Sequence, residues 1–67
     1  MSGTKTRHQA KRKMDRMIGN LDQAKTHIID IMNMGYESYE TQAQALTMIY
    51  DAIEEVQKLI LRTNESI

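Results

Sequence analysis

Apolar or small residues at Ala10, Met14, Met17, Leu21, Ala24, Ile28 and Ile31 advance in alternating steps of four and three, with Ile18 and Met32 beside them. That spacing keeps one side of a 3.6-residue helix apolar, so the pattern predicts a long amphipathic helix. Thr6 followed by Gln9 has the form of a capping box, which places the helix start near Arg7. Gly35 suits the left-handed position that closes a helix, and Gly35, Tyr36, Glu37 and Ser38 show no apolar period. The expected order is therefore a helix over about 7–33 and a turn over 34–38.

The apolar pattern resumes at Ala45, Leu46, Ile49, Ala52, Ile53, Val56, Leu59 and Ile60, which predicts a second helix over about 39–63. Its N-cap is either Ser38 or Thr41, the latter with Gln44 three residues on. The stripe is broader than one neighbouring helix can cover. No proline interrupts either helix. Two helices of roughly 40 Å joined by a short turn favour an antiparallel hairpin. Met48, Tyr50, Leu61 and the outer part of the wide face would stay in water on a lone hairpin, which is expected to drive association. The fold class is thus all-α: a two-helix antiparallel hairpin, a single domain over 1–67, assembling into a homo-oligomeric helical bundle, either a dimer or a higher ring. Gly19, which costs about 1 kcal/mol relative to alanine within a helix, is expected to mark a close helix approach.

Composition sharpens the case for partners. A chain of 67 residues forms at most one small core, and the absence of cysteine removes disulfides, thiolate metal sites and nucleophilic thiols together. No apolar run is long enough for a membrane span, and the basic N-terminal stretch lacks the apolar segment of a signal peptide, so the expected location is the cytoplasm, without membrane contact.

The zero net charge hides a division of sign. Residues 1–16 carry Lys5, Arg7, Lys11, Arg12, Lys13 and Arg16 against Asp15 alone, a net +5, and the remainder carries −5. Positive side chains at a helix N-terminus oppose the helix dipole, so something other than the dipole favours them there. In an antiparallel hairpin Lys58 and Arg62 would join the same end, and the group would suit phosphates. A solvated basic tail is the plainer reading of the same residues. Tyr36 and Tyr39 sit at the turn, where their rings can either stack on a nucleobase or cover the end of the hairpin core.

Other chemistry is poorly supported. His8 and His27 are too far apart to share a helix face as metal ligands, and Glu54 and Glu55 point in different directions on a helix. The serines lie at termini or the turn, and no glycine-rich phosphate loop is present. No enzyme, cofactor or metal site is expected.

Residues Gln42 to Arg62, QAQALTMIYDAIEEVQKLILR, resemble the second helix of a phage hairpin family, through Gln42, Ala45-Leu46-Thr47, Ala52 with Ile53, and Ile60 with Arg62. The family comprises anti-CBASS cyclic-nucleotide sponges, and a related hairpin occurs in sponges that block Thoeris defence. The sequence departs from it at Glu55, where members often carry tryptophan, and at Gly35 to Ser38, where they carry a proline-bearing turn. A cationic residue ahead of the family's hairpin core could correspond to Lys11. The resemblance implies an oligomer whose interfaces sequester cyclic di- or trinucleotide immune signals without catalysis, in the cytoplasm of a bacterial host. Under that reading Lys11, Arg12, Arg16 and Arg62 are phosphate contacts, Tyr36 or Tyr39 base contacts, and Thr47 a further polar contact. Two alternatives use the same residues differently. One is a small dimeric hairpin binding RNA or DNA, in the manner of plasmid copy-control hairpins; the other is a structural adaptor whose apolar stripe docks a partner helix.

Overall fold

The computed structural model describes residues 2–34 and 40–67. Two α-helices make up the fold, α1 over Ser2–Asn33 and α2 over Glu40–Glu65, with no strand among the described residues. Helix α1 begins well before Arg7, so Thr6 lies inside it and is not its N-cap. No proline stands ahead of Thr6 to stop the helix, and each added residue gains a backbone hydrogen bond once a turn exists. At the other end the Met34 N–H donates to the Ile31 carbonyl at 3.1 Å, a tight last turn. Gly35, Tyr36, Glu37, Ser38 and Tyr39, with the expected turn and the Ser38 cap, lie outside the described residues. Thr41 is already within α2 and does not cap it. Glu40 in the first turn and Arg62 in the last both complement the dipole of α2.

The helices run antiparallel, as paired contacts along their length show: Lys11 with Asn64, Ile18 with Gln57, and Lys25 with Tyr50. Helix α2 turns Leu46, Tyr50, Ile53, Gln57, Ile60 and Asn64 toward α1, and all six are at least half-buried. Met14, Ile18, Leu21, Ala24, Ile28 and Ile31 answer from α1. Even so, Ile28 and Ile60 are the only buried hydrophobic residues among those described, and neither is completely enclosed. One helix can bury only a stripe of another, and two helices alone cannot enclose that stripe.

Two positions in the α2 seam are polar, and both are used. Gln57 Nε2 donates to the Ile18 carbonyl at 3.0 Å and to Asp22 Oδ1 at 2.8 Å. Asn64 Nδ2 donates to Asp15 Oδ1 at 3.0 Å. Asp15 and Asp22 are seven residues apart, as are Gln57 and Asn64, so one amide-to-carboxylate clamp repeats after two helical turns. Polar pairs of this kind hold a helix pair in one register, because a slip of a single turn separates donor from acceptor.

Gly19 departs from expectation. A methyl group built on its backbone would meet nothing within 4 Å, so it does not mark a close approach inside the hairpin. The residue faces solvent, where a side chain costs no contact.

The molecule is elongated, 57 × 16 × 11 Å. Helix α2 ends at Glu65, one residue past Asn64, the partner of Lys11, whereas α1 already begins at Ser2, so the first turns of α1 project past the end of α2.

Candidate basic face and anion site

Lys11 is the candidate whose role the geometry changes most. Its ammonium donates to the Asn64 main-chain carbonyl at 2.8 Å, and the residue is half-buried. That carbonyl also accepts from the Ile67 N–H at 3.3 Å, and a cation on a carbonyl in the last turn of a helix is favoured by both the hydrogen bond and the dipole. Lys11 therefore ties the end of α2 to α1, and its charge is directed inward.

Arg12 and Arg16 behave differently. Both are exposed, and with Gln9 and Lys13 they line a shallow depression of about 270 Å³ on the outer face of α1. The positions 9, 12, 13 and 16 follow the three- and four-residue steps that stack side chains along one side of a helix. Gln9, which the sequence suggests as half of a capping box, and Lys13, one of its basic cluster, join the candidate contacts Arg12 and Arg16 on this face through that spacing. Among the described residues the ion pairs within 4.0 Å are Lys25 with Asp22 and Lys58 with Glu55, so the cations of this depression have no carboxylate partner there.

Arg62 is exposed and lies elsewhere. At about 100° per residue it is two positions past Ile60, which faces α1, and so falls on the side of α2 away from α1. Lys58, expected at the same basic end, pairs with Glu55 at 3.4 Å and borders a different groove with Ile18, Asp22 and Leu61. One hairpin thus brings Arg12, Lys13 and Arg16 together but does not add Arg62 to them.

Thr47 is far from all of these. It sits 15 positions before Arg62, roughly 22 Å along the helix, and its hydroxyl donates to the Ala43 carbonyl at 3.0 Å. It lines an apolar depression with Ile29, Met32 and Tyr50, where Lys25 Nζ lies 5.5 Å from the Tyr50 ring centroid. Tyr36 and Tyr39 lie outside the described residues. Among those described, no three His, Cys, Asp or Glu side chains gather where they could hold a metal ion. Among the described residues no helix is long and apolar enough to cross a membrane.

The fold and this face define an antiparallel helical hairpin with a basic outer surface on its first helix. Compared with known proteins, the chain matches no family model, no curated protein and no solved structure.

Proposed function

We propose that the chain is a non-catalytic sponge for cyclic oligonucleotides, sequestering cyclic di- or trinucleotide immune signals between copies of itself, in the setting of phage evasion of bacterial immunity. The observation that carries this reading is the cluster of Arg12, Lys13 and Arg16 on one face without a carboxylate partner among the described residues. Guanidinium groups that are exposed and unpaired are free to take phosphates in charge-assisted, often bidentate, hydrogen bonds. A ligand with two or three phosphates matches several such faces brought together by symmetry. The resemblance at Gln42 to Arg62 supports the same ligand class. Arg62 and Thr47 join the site only from a neighbouring copy, because one hairpin holds them apart from Arg12 and Arg16.

Calorimetry against a panel of cyclic di- and trinucleotides tests the proposal. Micromolar or tighter binding to at least one member is expected, lost in Arg12→Ala/Arg16→Ala. Absence of binding to every member overturns it.

One observation favours a second reading. Lys5, Gln9, Arg12 and Arg16 line up along the outer face of α1 over about 16 Å, an open stripe that also suits successive phosphates of a polynucleotide. Binding to RNA or DNA that weakens steeply with added salt, with no affinity for compact cyclic nucleotides, would select this alternative.

A further inference from the structure

Helix α2 carries two parallel apolar seams. The first, Leu46, Tyr50, Ile53, Gln57, Ile60 and Asn64, faces α1. The second is displaced by one residue: Ala45, Ile49, Ala52, Val56, Leu59 and Thr63, spaced four, three, four, three and four. All six are exposed, Leu59 to 56%. Ile31 of α1 borders this side, lining a groove with Ala45 and Leu46. An uninterrupted heptad seam over more than two repeats is the pattern by which one helix packs along another, and none of the described residues of the hairpin covers it.

The geometry points to a second copy of this chain as the occupant, with the α2 helices packed antiparallel along this seam. In that arrangement Ala45 lies opposite Thr63 of the second copy, Ile49 opposite Leu59, and Ala52 opposite Val56, so the whole seam is used by both chains. Charge selects the direction. Residues 2–16 and 58–67 lie at one end of the hairpin and hold eight basic side chains against Asp15 and Glu65, a net +6. Residues 17–57 hold Lys25 against seven acids, a net −6. Two such dipoles side by side attract when antiparallel and repel when parallel. The antiparallel pair sets the basic end of each copy beside the acidic half of the other. The two Glu55 side chains approach at the centre, where Lys58, 3.4 Å from Glu55 in each chain, supplies the opposing charge.

This inference rests on the self-association in the reading above and not on the ligand: the seam sets the two basic ends at opposite ends of the dimer, so copies that share a ligand would meet through a second contact. It is tested without nucleotide, on full-length protein refolded from denaturant. Sedimentation should show a dimer whose Kd rises several-fold as salt screens the end-to-end attraction. The chain has no cysteine, so introduced thiols are unique probes. Mixing Ala45→Cys with Thr63→Cys chains under oxidation should give the 45–63 disulfide. Neither variant alone should link to itself, since like positions would lie about 27 Å apart. Self-linking of the single variants, a dimer with no 45–63 link, or a monomer at tens of micromolar would each overturn the arrangement. A dimer linked as expected that binds no cyclic nucleotide leaves this inference standing and removes the ligand. Nucleotide binding by a monomer does the reverse.

Discussion

Lys11 and Arg12 are neighbours in a run of three cations, yet the hairpin gives them different work. Lys11 is half-buried and bonded to the Asn64 carbonyl, whereas Arg12 faces outward beside Lys13 and Arg16. Substitution separates the two roles. Lys11→Ala leaves a terminal carbonyl of α2 without its charged donor and should lower stability by about 1–2 kcal/mol in urea unfolding followed by circular dichroism. Arg12→Ala should change stability by less than about 0.5 kcal/mol, since it is exposed and has no ion-pair partner among the described residues, while weakening anion binding. If Lys11→Ala unfolds no more readily than the parent, its tie to Asn64 contributes nothing in solution. Gly19 gives a second measurement at this scale. With open space around it, Gly19→Ala should stabilise the chain by about 1 kcal/mol through helix propensity alone. A loss of self-association in that variant would instead place Gly19 against another copy.

At the level of elements, both helices follow from their apolar spacing, because period and length act locally and neither contains proline. Their ends were less legible. The Thr6 and Gln9 pattern satisfies the chemistry of a cap, but a cap forms only where the preceding residues leave the helix, and here they stay in it. Polar positions in the seam were also hidden: Gln57 and Asn64 read as gaps in an apolar stripe until α1 places Asp22 and Asp15 opposite them. For the same reason, the sequence assigned Lys11, Arg12, Arg16 and Arg62 to one end of the hairpin but not to faces. Which way each points depends on where α1 and α2 touch. The clamps yield a prediction of their own. Gln57→Leu/Asn64→Leu fills the seam with apolar side chains and should raise the melting temperature while admitting slipped pairings, seen as extra or broadened amide NMR peaks. A single sharp set of peaks would mean that the apolar residues alone fix the register.

For the whole molecule, the decisive quantity is how little is enclosed. With Ile28 and Ile60 as its buried hydrophobic residues and Met48 exposed to 71%, the described hairpin leaves many of its large apolar side chains uncovered. Its melting temperature should therefore rise with protein concentration, as it does when folding and association are linked. A melting temperature constant over a hundredfold dilution would show that the hairpin stands alone. The projecting start of α1 adds a consequence for handling by proteases. Lys5 and Arg7 lie on turns of α1 beyond the end of α2 at Glu65, while Arg12, Lys13 and Arg16 lie where α1 is backed by α2. Trypsin should remove the projection first and leave a trimmed hairpin that still carries the three clustered cations. A bound polyanion would then reveal itself as a shield: it should slow the later cuts within the cluster and leave the first ones unchanged.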